Sequence, residues 1–406
     1  MLGRMKFFCR CFVLFCFILA CMTIIVQQSY AAEKTPVTRY WMSVSTEKGG
    51  FPGMPSGAGG PGGMMPNIGS LLGMGGGDSS SGKRLHLEVN SPKGLPADPQ
   101  ATHDIPPVQN MGPTLPLVPP EAGRTHEGRT GEKPEKFEKP KMRMVIYWGC
   151  SETVRPGQPY VIDTEKASPA ELGKMFQGRN ISGQHLSPRE GWAYADWPNK
   201  KDGKQVPANS SLAGNHFVHG NYVPDIRFSI DPDHDFMSPV EFTSKKGNPS
   251  ESFSFQWNSI PTATGYFATA MGHDQKTGTM IIWSSSDVRE AGWSLMDYLS
   301  NEDVRRLVRE RVVMPSSTTR CVIPKGIFKD AEGAMIQFIA YGNELNIAYP
   351  AKPKDPIWAV KVRRKSTSML PLMEMAAREA GKEGEAQPEK KEGITPGKVL
   401  KGLFGF

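Results

Sequence analysis

The sequence predicts a mostly β fold: two β-sandwich-like modules, one short inserted helix, long Gly/Pro-rich loops and a C-terminal tail without a core. Three observations predict it. Short runs rich in aromatic and β-branched residues recur along the chain, often alternating apolar with polar. Turn residues separate most of these runs. Finally, 43 glycines and 35 prolines among 406 residues make the chain rich in loops and turns.

In chain order the first element is a leader. Arg4, Lys6 and Arg10 precede a sixteen-residue apolar run from Cys11 to Val26, and no acid occurs before Glu33. Ser29 and Ala31 supply the small residues of a cleavage site, so 1–31 reads as a secretory signal peptide cut after Ala31. An uncleaved membrane anchor is the plainer alternative, since the apolar stretch nears the length of a bilayer span. A third is lipidation at Cys21, because Ile18-Leu19-Ala20-Cys21 is similar to a lipobox.

Export sets the redox setting. Cys9, Cys11, Cys16 and Cys21 leave with the leader, and Cys150 and Cys321 remain as an expected disulfide pair; two buried thiols is the alternative. The stated charge of +7, less the three leader cations, leaves +4 on the mature chain. That balance gives no reason to expect a nucleic-acid partner.

The first β module spans 37–220. Residues 37–46 read as a strand, as does Arg84–Val89, in which Leu85, Leu87 and Val89 alternate with His86 and Glu88. The two are expected to pair, joined by a flexible Gly/Met-rich loop over 49–82 with fourteen glycines. Residues 105–143, first Pro-rich and then charged, read as extended surface or linker. Another strand follows at Met142–Cys150, closed by a turn at Arg155-Pro156-Gly157, and a short helix is expected near 169–177.

The second module spans 225–368. Strands are expected at Asp225–Ile230, Ser252–Trp257, Tyr266–Met271, Met280–Ser285, Thr318–Ile323, Ala334–Tyr341, Leu345–Ala348 and Trp358–Val362. Phe253, Phe255 and Trp257 alternate with Ser254 and Gln256, which gives one buried face. Between them a helix is expected over 300–313: Ser300 and Asp303 have capping-box spacing, and Val304, Leu307, Val308 and Val312 line one side before Pro315. Its Arg305, Arg306, Arg309 and Arg311 read as a solvated face paired with Glu302, Asp303 and Glu310, the alternative being a basic helix for an anionic surface. The tail 369–406 carries six acids and six bases, reads as disordered, and ends on an apolar stretch with the character of a docking peptide.

On the residues Phe255-Gln256-Trp257 through Tyr266, and Met335 to Asn343, the second module resembles a fibronectin type III-like β-sandwich. The resemblance implies a core in which Trp257 packs beneath Tyr266, with the helix as a departure from the family. The whole chain is also similar to a family of exported proteins of Gram-negative bacteria. The Tyr40-Trp41-Met42 start, the Gly/Met tract, Ile146-Tyr147-Trp148-Gly149-Cys150 and Trp283-Ser284-Ser285-Ser286 carry that likeness. It implies an envelope setting, periplasmic or extracellular, and no activity.

Candidate chemistry is sparse. Asp231 to Asp235 alternates carboxylates as calcium loops do, but Phe236 and Phe242 stand where an EF-hand needs Gly and Glu. His216 and His219, three apart on a strand, point to opposite faces and make a poor metal pair, so no metal site is expected. Met54, Met64, Met65, Met74 and Met111 are soft thioethers without the regular spacing of copper sites. Trp192, Tyr194 and Trp197 could form an aromatic platform for a glycan, or fill the module's core. No nucleophile elbow, His-Glu-x-x-His helix, Ser-x-x-Lys pair in context or phosphate loop occurs, so no catalytic residue and no cofactor is assigned. The reading is an exported, non-catalytic envelope protein that contacts other envelope proteins. Glycan or peptidoglycan binding is the alternative, and a secreted hydrolase the third. Membrane contact is expected only through the leader or a lipid anchor.

Overall fold

A computed structural model describes residues 37–49, 81–120, 143–168, 179–183, 185–331, 333–351 and 356–372. The expected leader 1–31, the Met positions at 54, 64, 65 and 74, the helix expected at 169–177 and residues 373–406 of the expected tail lie outside the described residues. The first part of that tail is not disordered, because 369–371 complete the last strand and Leu370 and Leu372 are buried in the core.

The fold is mostly β. In chain order the strands are β1 (Thr38–Lys48), β2 (Gly82–Ser91), β3 (Ala101–Asp104), β4 (Thr114–Leu117), β5 (Arg143–Trp148), β6 (Tyr160–Asp163), β7 (Ala193–Trp197), β8 (Gly214–Gly220) and β9 (Ile226–Ile230). They continue with β10 (Phe242–Lys246), β11 (Phe253–Trp257), β12 (Ala263–Asp274), β13 (Thr279–Ser284), β14 (Met314–Pro315), β15 (Arg320–Ile323), β16 (Gly333–Gly342), β17 (Leu345–Tyr349) and β18 (Trp358–Pro371). Among the described residues one α-helix, α1 (Asn301–Arg309), falls between β13 and β14.

An eleven-stranded sheet runs β6-β5-β13-β12-β16-β18-β1-β2-β7, with β14 on β12 and β17 on β18. Two smaller sheets, β10-β11-β15 and β4-β3-β8-β9, pack on one of its faces. Under the first lies a core of Phe253, Phe255 and Trp257 against Tyr266, Phe338 and Trp283. Trp257 meets Tyr266 edge-on at 5.5 Å, and both are buried as expected of core residues. Under the second, Tyr40, Met42, Leu87, Trp197 and Val362 pack against Leu115, Val218 and Phe228.

The expected pairing of the first two strands is observed: β1 and β2 are antiparallel, with Trp41 opposite Glu88. The expected division near 220 does not coincide with a sheet boundary. β1 runs parallel to β18, and β5 parallel to β13, so strands from 37–220 and 225–368 share the large sheet. Parallel neighbours need long crossovers, and local turn signals cannot reveal them.

Two further expectations need correction. Residues 105–120 are not a linker: Leu115 and Leu117 point inward from β4, and Met111 is buried. As an edge strand β4 can carry Pro116 without losing a ladder hydrogen bond. The helix is shorter than 300–313. Ser300 caps it by accepting from Asp303 N–H, but Arg311 adopts a left-handed φ of 59° and turns the chain, so Val312 reaches the core from outside the helix.

Cys150, just after β5, is bonded to Cys321 on β15, with a Cα–Cα separation of 5.0 Å. The bridge ties the three-stranded sheet to the end of the large one.

Candidate functional site

Strand periodicity puts every second residue of β7, β2, β1 and β18 on the face of the large sheet opposite the small sheets. On this face most of the residues are polar, with Trp41 and Ala359 among the exceptions. Trp41 stands between Glu88 on β2 and Lys361 on β18, and Ser43 between His86 and Arg363. The next row pairs Ser45 with Lys365. Farther along β12 and β16 the same face is apolar, where Phe267 and Ile339 meet Leu295, Leu299 and Leu307.

The charges are held by loops that cross the face. Glu88 is 1 % exposed. Its Oε1 accepts from Leu186 N–H and from the Tyr194 hydroxyl, each at 3.3 Å. Its Oε2 has no hydrogen-bond donor among the described residues. Arg363 Nη2 stands 3.8 Å from that oxygen, and the Nδ1 atoms of His86 and His185 each stand 3.9 Å away. Arg363 donates to Ser43 Oγ at 2.6 Å and lies over the rings of Trp41 and Tyr298. Lys365 reaches Asp297 at 2.9 Å, and His185 Nε2 reaches the other oxygen of Asp297 at 3.3 Å.

These contacts separate the two acids. Burial pushes the Glu88 carboxyl above the ordinary range, against the pull of His185 and Arg363. Burial alone would raise Asp297 as well, but His185 and Lys365 hold it well below the usual range. Burial, with His185 and Arg363 nearby, lowers His86 to about 4. A buried carboxylate beside a guanidinium is costly to orphan, so the cluster fastens 185–187 and 297–298 onto the sheet. An acid with a raised pKa beside one with a lowered pKa could also hold and pass a proton.

At its far end the same face is open. Arg39, Trp41, Asn346, Ala348, Ala359 and Lys361 line a shallow groove of about 280 Å³. Two alanines leave its floor low, and Trp41 forms a wall. Lys361 is paired with Glu344 at 3.4 Å and lies over the Trp41 ring. Arg39 and Asn346 are exposed.

The aromatic platform does not assemble. Trp197 is 1 % exposed and points into the core under the four-stranded sheet, whereas Tyr194 points to the polar face. Trp192 precedes the strand and carries Arg189 over its ring. Odd and even positions of one strand cannot share a face. His216 and His219 separate for the same reason. His216 is buried, while His219 sits by Thr102 and Asp104.

His216 belongs instead to a closed chain of hydrogen bonds. Its Nε2–H donates to Leu212 O at 2.7 Å, so its Nδ1 must accept from His103 Nε2–H at 2.9 Å. His103 Nδ1 then accepts from the Tyr40 hydroxyl at 2.8 Å. The terminal carbonyl thus sets both tautomers, and both rings are neutral. The carboxylates of Asp231 and Asp235 are also spent locally: Asp231 caps the turn at His234, and Asp235 accepts from Leu212 N–H at 2.8 Å. Among the described residues no group of His, Cys, Asp or Glu is arranged to hold a metal ion, and no helix is long and apolar enough to cross a membrane.

The sequence reading missed Trp41, Glu88, Arg39 and the β18 cations. A signal was present: Lys361, Arg363 and Lys365 alternate with Val360 and Val362, the pattern of a strand whose second face is charged. In comparisons with protein families, curated proteins and solved structures, nothing matches the chain.

Proposed function

We propose that the chain is an exported envelope protein that acts by contact with other proteins and not by turnover. The observation that carries this reading is the open end of the polar face. There an aromatic wall, an exposed guanidinium and an exposed amide border a groove beside β17, a strand paired only with β18 among the described residues. An uncovered strand edge offers backbone donors and acceptors to an incoming segment. The Cys150–Cys321 bridge accords with an oxidising compartment, and the leader with export.

The fibronectin type III-like likeness is part of the same proposal. Its support is the order β10-β11-β15 facing β13-β12-β16-β18, two sheets between which the chain alternates, with Trp257 under Tyr266. Domains of this architecture commonly present their edges and loops to partners, a likeness of fold and not of site.

The test is affinity capture of the full chain from envelope extracts, beside an Ala359→Trp variant that fills the groove. The proposal expects at least one envelope protein retained by the wild type and lost with the variant. Equal retention by both, or recovery of the chain alone, contradicts it. Finding the native chain in the cytosol with residues 1–31 attached contradicts the export half.

A further inference from the structure

The groove has a definite chemistry. Its floor, Ala348 and Ala359, and its wall, Trp41, are apolar, whereas its ends carry Arg39, Lys361 and Asn346. Glu344, an acid near these ends among the described residues, is paired with Lys361. Glu88, on the other side of Trp41, is buried and faces Arg363 and the two histidines. Arg39 is left as an exposed guanidinium with no hydrogen-bond or ion-pair partner among the described residues.

A planar fork of donors beside an apolar floor suits a carboxylate attached to a compact apolar group. The volume of about 280 Å³ holds one residue-sized group and not an extended oligomer. A sugar would need several hydrogen-bonding groups along its ring. The groove offers Asn346 and two cations and is otherwise hydrocarbon, so it fits a saccharide poorly. A polypeptide C-terminus with an apolar last residue supplies both parts: the side chain for the alanine floor and the carboxylate for Arg39. Its preceding backbone would then pass β17, whose outer edge has no strand against it among the described residues. Capture of a C-terminal carboxylate and strand addition at a sheet edge are recurrent modes of peptide recognition.

On these grounds we infer that the groove is a recognition site for the free C-terminus of a partner polypeptide ending in an apolar residue, with Arg39 binding the terminal carboxylate. The inference rests on the protein-contact reading above and names the partner's chemistry.

Its test uses the oxidised full chain and fluorescein-labelled hexapeptides ending in valine, leucine or phenylalanine, each as free acid and as C-terminal amide. Fluorescence anisotropy should show saturable binding of at least one free acid, weakened about tenfold or more in the amide form. Arg39→Ala should weaken the acid by a similar factor and leave the amide unchanged. Because Arg39 is exposed, the variant should keep the wild-type melting temperature. Ala359→Trp should abolish both. Equal binding of acid and amide, no effect of Arg39→Ala, or no binding of any peptide overturns the inference. So does displacement of the peptide by glucuronic acid at lower concentration than by acetylated free valine, which would make the groove an acidic-sugar site. If envelope capture still depends on position 359 while every peptide fails, the contact reading stands and only the partner's chemistry is refuted.

Discussion

Replacing His216 by glutamine should flatten the acid limb of the protein's stability curve. The neutral His216 ring lies in the core, 2 % exposed, stacked at 5.0 Å on Phe228. Burial lowers its pKa from 6.5 to about 4, although its bond to the Leu212 carbonyl pulls the other way. The folded state therefore binds its proton less readily than the unfolded chain. The stability this ring contributes is complete above pH 6.5 and is lost as the pH falls toward 4. A fall from 6.5 to about 4 corresponds to about 3 kcal/mol, of which about 2 kcal/mol is gone by pH 5. Glutamine retains one donor for Leu212 and one acceptor for His103 but cannot take up a proton. Urea unfolding between pH 7.5 and 4.5 would measure it, with the disulfide intact and the linear extrapolation applied to both proteins. The wild type should lose about 2–3 kcal/mol more than His216→Gln over that range. Parallel curves would refute the reasoning, because the ring would then not be buried in its neutral form.

Three further outcomes follow from the fold. Reducing the Cys150–Cys321 bridge, or replacing both cysteines by serine, should cost about 5 kcal/mol in the chain-entropy picture for a separation of 171 residues, read as a fall in the urea midpoint. Arg363→Met should cost about 3–5 kcal/mol because it leaves Glu88 buried without its guanidinium; adding Glu88→Gln should restore part of the loss, and additive losses would show that the two do not interact. Trp257→Ala, removing a ring packed on both Tyr266 and Phe338, should cost about 3–5 kcal/mol, and a cost under about 1 kcal/mol would place that ring outside the core.

Local signals foretold the local elements. The alternation of Phe253, Phe255 and Trp257 marks β11, and Ser300 with Asp303 marks the start of α1. The β1–β2 pairing and the Cys150–Cys321 bridge were also legible. The sheet order was not, because β1 finds β18 and β5 finds β13 across more than a hundred residues. The candidate site was hidden for the same reason. Read alone, Arg363-Arg364-Lys365 looks like the end of a strand, yet β18 continues to Pro371. Arg363 and Lys365 are tolerated there because Glu88, Asp297 and the rings of Trp41 and Tyr298 arrive from distant segments. The aromatic cluster shows the converse. Trp192, Tyr194 and Trp197 are close in sequence, but strand parity alone sends Trp197 to the opposite face.

The most direct measurement is site-specific photo-cross-linking in cells that produce the full chain, with the reactive group at position 348 in the groove and, as a control, at position 276 in the β12–β13 turn. Discrete adducts at 348, absent at 276 and removed by Arg39→Glu, are the expected result. Uncross-linked protein at 348, or the same adducts at both positions, would contradict the claim that the chain works through the open end of its polar face.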